Sequence, residues 1–201
     1  MALLTTVTKF KNIDRRLFYY EDDIEKPISA GGVLLFKKDE VLVQKIQKDD
    51  TFQYSDFGGK TDLEDKSIME TIARELGEEM NFGIIDKKDE KNMDSVGIKK
   101  FLQNGLKKKL YFPNAKYFLI FVQFNENKYS LSMDQIGQQE ELDQIPRTVE
   151  WITFQQFIDS HFSHNLHPRL WGKPVLEFFG YQSKPDEVEE FIKPIKRFGF
   201  V

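Results

Sequence analysis

Gly58-Gly59-Lys60-Thr61-Asp62-Leu63-Glu64-Asp65-Lys66 leads, seven residues later, into Arg74-Glu75-Leu76-Gly77-Glu78-Glu79-Met80-Asn81-Phe82. The second half is helical by its spacing. Met69, Ile72, Ala73, Leu76 and Met80 recur at three- and four-residue intervals and form one apolar stripe. Ser67 with Glu70 three places on is a capping box that starts the helix. Asn81 and Gly83 tolerate the left-handed conformation that ends one. The spacing therefore predicts a helix over residues 67–80. On it, Glu75 stands three residues before Glu78 and four before Glu79, so the three carboxylates share a face. They repel one another, and Arg74, one turn from Glu78, is placed to orient or neutralise one of them. What remains is a hard, oxygen-only cluster on a rigid element. Mg²⁺ or Mn²⁺ suits such a cluster, because these ions favour carboxylate oxygens and leave room for substrate phosphates. Gly58-Gly59 lets the backbone approach a ligand closely, and a glycine carbonyl can join the metal shell. E-x-x-E-E strings also occur on plain solvated helix faces. A glycine pair, an acidic loop, a capping box and R-E-L-x-E-E within about 25 residues set this one apart.

Outward from this stretch, Ile28-Ser29-Ala30-Gly31-Gly32-Val33-Leu34-Leu35-Phe36 and Val41 to Ile46 flank a polar turn and read as a hairpin over 30–46. Residues 47–56 read as a polar loop and 86–92 as a charged connector. Residues 93–102 and 109–124 read as a strand pair around Gly105, with Leu119 to Phe124 apolar enough for a buried strand. Residues 126–148 are polar and loop-like. Val149 to Phe154 is a short strand leading into an amphipathic helix at 154–162, and 170–180 is a second helix interrupted by Pro174. Strands on both sides of a helix, with helices at the end, predict a mixed α/β domain. The expected division is 1–27 as an N-terminal arm or edge strand, 28–182 as the catalytic domain, and 183–201 as a tail packed on it, with a helix at 186–192.

Composition narrows the chemistry. The 201 residues suit one domain with extensions, and 40% hydrophobic content with 19 Phe is ample core material. No cysteine is present, which excludes disulfide scaffolds, thiolate zinc sites and cysteine nucleophiles and is compatible with the cytoplasm. Lys and Arg number 29 against 33 Asp and Glu, for a net charge of −4, which argues against nucleic-acid binding through bulk charge and leaves local basic patches open. No stretch approaches the apolar length of a membrane span, and the N-terminus has no secretory h-region.

The Gly59-to-Phe82 segment resembles the signature of the Nudix hydrolases: a glycine, five residues, a glutamate, seven residues, then R-E-U-x-E-E-x-G-U with U aliphatic. Gly59, Arg74, Glu75, Leu76, Glu78 and Glu79 match it residue by residue. Asp65 stands where the first glutamate falls, eight residues rather than seven separate it from Arg74, and Asn81 and Phe82 replace the last glycine and aliphatic residue. The extra residue falls at the loop-to-helix junction, and Asn81 can adopt the conformation that the glycine supplies. The resemblance implies a Nudix-type α/β/α sandwich with a mixed central sheet and the carboxylate helix packed beside it. It implies a divalent-metal-dependent hydrolase of the pyrophosphate bond in a nucleoside diphosphate linked to another moiety. Glu75, Glu78, Glu79 and the Gly59 carbonyl would hold Mg²⁺ or Mn²⁺, with Glu75, Glu78 and Arg74 in the catalytic set and Arg74 orienting the glutamates. The general base would lie in this box or in a later loop, where Glu140 and Glu141 are the candidates, Glu141 foremost. A cap hydrolase acting on mRNA, a diphosphoinositol or dinucleoside polyphosphate hydrolase, and a non-catalytic nucleotide-binding module stay open as alternatives.

Other residues bear on the substrate. Phe57 and Lys60 flank the glycine pair and are candidates for contacting it, although Phe52, Tyr54 and Phe57 equally suit a core. Lys99, Lys100, Lys107, Lys108 and Lys109 gather around Gly105, where a basic patch would grip a polyphosphate or RNA. A homodimer is compatible with the sequence. His161, His164 and His167 are spaced poorly for one metal and better for a helix end, where a cation meets the negative pole. Arg169 is a lesser candidate for a phosphate contact.

Overall fold

The computed structural model describes residues 6–10, 13–20, 23–48, 51–132 and 147–182. A seven-stranded mixed sheet forms the centre. Its strands are β4 (Ala30–Lys37), β5 (Glu40–Lys48), β6 (Thr51–Ser55), β7 (Phe57–Lys60), β10 (Leu106–Phe112), β11 (Tyr117–Gln123) and β13 (Arg147–Thr153). The main path runs β10-β11-β4-β5-β13, while β7 pairs with β4 and β6 with β5. Only β11 and β4 run parallel, Tyr117 opposite Ala30 through Gln123 opposite Phe36. Two further three-stranded sheets flank it. One joins β1 (Thr6–Phe10), β2 (Ile13–Tyr20) and β3 (Asp23–Ile28); the other joins β8 (Ile84–Asp86), β9 (Lys91–Asn92) and β12 (Tyr129–Leu131).

Helices cover both faces of the central sheet, which is why its strands are apolar on both sides. On β11, Phe118, Ile120 and Val122 join α1 (Ile68–Glu79) and α2 (Ser95–Gly105) in one core. Tyr117, Leu119 and Phe121 face the other way, into a core shared with α3 (Phe154–Phe162) and α4 (Lys173–Phe178). The period-2 alternation of the strand thus serves two layers. The mixed α/β sandwich expected from the sequence is what the chain forms, with the carboxylate helix packed on β4 and β7. Among the described residues, no helix is long and apolar enough to cross a membrane.

Several local expectations give way. Residues 93–102 are not a strand: α2 occupies 95–105, capped by Asp94, whose side chain accepts from Gly97 N–H at 2.8 Å. Ile98, Phe101 and Leu102 are buried at helical spacing, and Gly105 ends the helix rather than turning a hairpin. The polar stretch before Asp56 is extended as β6, because its backbone finds partners on β5. Tyr129 to Leu131, expected as loop, pairs with β8. Pro174 does not interrupt a helix but sits in the first turn of α4, where its missing N–H costs nothing. The capping box of α1 is half formed. Ser67 accepts from Glu70 N–H at 3.2 Å, but the Glu70 carboxylate reaches the Lys66 N–H at 2.8 Å instead. The expected tail at 183–201 and the loop carrying Glu140 and Glu141 lie outside the described residues.

Candidate active site

Gly58 and Gly59 on β7 lie opposite Gly32 and Gly31 on β4. Both faces of this four-glycine patch are occupied. On the α1 side, a Cβ at Gly59 would collide with the Glu75 carboxylate, and one at Gly31 would press on Ile68 at 2.8 Å. On the opposite side, a Cβ at Gly32 or Gly58 would run into the Tyr117 hydroxyl. The glycines therefore bring a bare strand between two polar clusters.

The first cluster centres on Arg74. One guanidinium nitrogen donates to both Glu75 (2.9 Å) and Glu78 (3.1 Å), so the two carboxylates are drawn together as their spacing predicts. The other terminal nitrogen donates to the Lys60 carbonyl at 2.9 Å and to Asp65 at 3.2 Å. Asp65 is buried and also accepts from the Asp62 N–H and the Thr71 hydroxyl at 2.8 and 2.7 Å. It fixes the loop and Arg74. Burial works against the Arg74 charge, but Asp65 and Glu75 more than offset it and hold its pKa above the ordinary value. Glu78 is the open member of the set, 51% exposed.

The second cluster lies under the strand. Asp56, 0% exposed, receives the Arg169 Nε at 2.5 Å and the Tyr117 hydroxyl at 2.5 Å. Arg169 also donates to Ser55 Oγ at 3.0 Å and stacks on the Tyr117 ring at 5.0 Å. Burial keeps Tyr117 protonated, its pKa far above the usual phenol, so it is a donor here. Gln44 donates to the Asp56 carbonyl at 2.8 Å.

Glu79 stands between the two clusters. Its side chain is 4% exposed, accepts the Gly58 N–H at 2.7 Å and lies 3.5 Å from Arg147. Burial pushes its pKa up to about 8, against the pull of the Gln44 amide, Arg169 and the Gly58 N–H, and Asp56 adds to the rise. A carboxylate so buried is costly to keep charged, even with Arg147 and Arg169 near it.

Whether a divalent ion suits the site depends on the donors present. Among the described residues, no group of three Asp, Glu or His side chains is placed to hold a metal ion. Mg²⁺ does not need one, since it takes one or two carboxylates and completes its shell with water and substrate phosphates. The donors available here are all hard oxygens: Glu75 and Glu78 beside Arg74, the buried Glu79, and the Gly59 backbone packed against Glu75. By its chemistry this donor set suits such an ion.

Other expected site residues are placed differently. Lys60 is exposed at the end of β7, beside the Arg74 cluster. Phe57 does not present itself to a ligand: it is 0% exposed and packs in the α1 core, because its position on β7 points inward. Lys107, Lys108 and Lys109 lie on β10, separated from β7 by β11 and β4, roughly 14 Å or more at ordinary strand spacing. They are not part of the glycine-carboxylate cluster. Lys108 turns to the other face, over the Phe178 ring, and Lys99 pairs with Glu70 at 2.7 Å. The histidines do not converge. His161 is buried, and burial and His164 lower its pKa to about 4, so it stays neutral and brings no charge to the end of α3. Sequence reasoning missed Asp56, Gln44, Tyr117 and Arg147. The one local signal was a polar residue inside an apolar strand, Gln44 in Val41-Leu42-Val43-Gln44.

No protein-family model matches the chain, and no curated protein matches it in sequence. Solved structures that align with it include these three. A bifunctional NMN adenylyltransferase/ADP ribose pyrophosphatase from Francisella tularensis, complexed with AMP and Mn ion, has 16% identity and TM-score 0.39 over 63% of this chain and 34% of its own. A MutT protein from Bacillus halodurans has 20% identity and TM-score 0.37 over 65% and 71%. A NUDIX-family hydrolase from Clostridium perfringens has 15% identity and TM-score 0.41 over 74% and 95%. The chain spans about a third of the length of the first. At these identities and TM-scores the likenesses assign no activity to it.

Proposed function

We propose that the protein is a divalent-metal-dependent hydrolase of a pyrophosphate bond, acting on a nucleoside diphosphate linked to a second group. The observation that carries this reading is the placement of two helix carboxylates against a bare glycine strand, with a third open to solvent beside them. Glu75 packs on Gly59, Glu78 opens to solvent, and Glu79 is bonded to Gly58 N–H. Glu75, Glu78, Glu79 and the Gly59 carbonyl would hold Mg²⁺ or Mn²⁺. When bound, such an ion neutralises charge on pyrophosphate oxygens and lowers the pKa of water.

The chain's own residues have distinct parts. Arg74 holds Glu75 and Glu78 together, so their oxygens are oriented before substrate arrives. Gly58 N–H fixes Glu79 from one side and Arg147 from the other. Lys60, exposed beside them, is the candidate for a phosphate of the substrate. Glu141 or Glu140 is the candidate for a base from outside the helix.

The test is turnover with Mg²⁺ over a panel of nucleotide sugars, ADP-ribose, dinucleoside polyphosphates, nucleoside triphosphates, inositol pyrophosphates and capped RNA. Glu79→Gln should lower the rate by roughly three orders of magnitude with its circular dichroism unchanged. Wild-type rates in that variant would remove Glu79 from the mechanism. Mg²⁺ binding with no turnover on any substrate would favour a nucleotide-binding module.

A further inference from the structure

The α2 side of the molecule carries a second feature, built by residues outside the carboxylate cluster. Two clefts of about 510 and 840 Å³ lie there. One is walled by the β4–β5 turn, the start of β10 and the turn after β11; the other by the β8–β9 turn and α2. Phe101, Asn104, Asn127, Lys128 and Tyr129 line both, so the two are one continuous groove.

Its charge is opposite to that of the chain. Eight lysines and four carboxylates line it, four positive charges in excess, on a protein of net −4. Glu126 takes Lys37 and Lys38 at 2.8 and 3.7 Å. Asp86 and Asp94 accept backbone N–H groups, from Lys88 and Gly97. Lys87 donates to the Glu126 carbonyl at 2.7 Å, and among the described residues Lys88, Lys91, Lys100, Lys107 and Lys128 also have no carboxylate partner. Set against the charges of Asp86, Asp89 and Asp94, these lysines leave the concavity net positive, a field that attracts an anion.

The kind of anion follows from the groups present. Every cation in the groove is a lysine, a hydrated point charge without the planar fork that grips one phosphate in two places. Lysines spread along an open groove suit a chain of phosphates contacted one by one. Where the clefts meet, the part-exposed Tyr129 ring stands edge-on to Phe101 at 4.9 Å, and Asn92, Asn104, Asn125 and Asn127 line the walls. A ring and amides are what unpaired bases use for stacking and hydrogen bonds. A compact polyphosphate has no use for them, and a membrane surface is too flat to enter a groove.

The groove also has a place relative to the carboxylates. Arg147 and Trp151 lie four residues apart on one face of β13; the first meets Glu79 and the second lies under the Lys37 ammonium at 4.5 Å. Four strand residues span about 13 Å, so the groove opens about that far from Glu79 on the same face of the sheet.

We propose that this groove binds a single-stranded nucleic acid, with its phosphates on the unpaired lysines and bases over Tyr129. Binding at the groove does not depend on the hydrolytic reading. The test is fluorescence anisotropy of the full chain with a labelled oligouridylate of about 12 nucleotides, over about 50 to 200 mM salt. Wild type should bind, with affinity falling linearly in log salt. Lys100→Glu with Lys128→Glu should weaken binding about tenfold or more at low salt and flatten the salt slope by about 1.4, the value for two lost single-strand phosphate contacts. Lys108→Glu with Lys173→Glu makes the same charge change on the opposite face and should stay within about twofold of wild type. Circular dichroism is the control and should show each variant folded. No binding by wild type, equal loss in both double variants, an unchanged Lys100/Lys128 variant, or tighter binding of a duplex would each overturn the proposal. So would anionic phosphatidylserine vesicles bound through the same lysines in place of RNA.

Discussion

Two arginines flank the Gly58-Gly59 strand, and they are set in opposite ways. Arg74 sits on the solvent side and takes its carboxylate partners from its own neighbourhood: Asp65, Glu75 and Glu78, within nine residues along the chain. Arg169 lies beneath the strand and meets Asp56 across 113 residues, on a face closed by Tyr117. The local cluster keeps exposed oxygens for a ligand. The distant one has its acceptors occupied inside the protein, and what it supplies is a rigid floor. The contrast teaches that the same ion-pair chemistry presents a site when open and braces one when buried, because solvent screens the first and not the second.

The sharpest way to break this contrast is Arg169→Met. It leaves Asp56 buried without its cation and should cost about 3–5 kcal/mol in urea unfolding. A loss below about 1 kcal/mol would mean that the lower cluster is as screened as the upper one. Next comes pH. The Glu79 pKa is about 8 in the fold against 4.5 for a free glutamate. Between those values the folded chain keeps a proton that the unfolded chain has released, so metal-free stability should fall as pH rises through this window. It should level off above about pH 8, after a loss of several kcal/mol in order of magnitude. Unfolding in chelator from about pH 5 to about pH 9 measures it, and Glu79→Gln should flatten that component. Arg74→Ala should cost less than Arg169→Met, about 1–2 kcal/mol, because Asp65 keeps the Asp62 N–H and the Thr71 hydroxyl. Isothermal titration should show a larger effect on Mg²⁺ affinity than unfolding shows on stability. Smallest is Ser67→Ala, about 1 kcal/mol from the lost cap on Glu70 N–H. Its Mg²⁺ affinity should be unchanged, which separates helix stability from carboxylate placement.

Legibility in the sequence follows the same division. The stripe Ile72, Ala73, Leu76 does face the core, and Glu75 and Glu78 do share Arg74. The hairpin of β4 and β5 and the buried β11 were also readable, from period-2 alternation and an unbroken apolar run. Residues 95–105 form a helix where the pattern predicts a strand, because Gly105 suggests a turn and the apolar positions between charges are few. The lysine patch was half legible. Lysines around Gly105 are real neighbours in sequence, but the fold sends Lys99 to Glu70 and Lys108 to the far face. It then adds Lys88 and Lys91 from the β8–β9 hairpin and Lys128 from the turn after β11.

By itself, the sequence determined the carboxylate helix, its cap, the glycine pair ahead of it and the absence of any thiolate chemistry. These depend on residue types and on partners within one or two turns of chain, which helical and strand periods encode. Only the tertiary structure decided that Arg169 and Tyr117 brace Asp56, that Glu79 is the buried carboxylate of its trio, and that lysines of five segments share one groove. Those outcomes rest on which strands pair and which face each residue takes. Periodicity says that a side chain points inward or outward, but not what it will meet there.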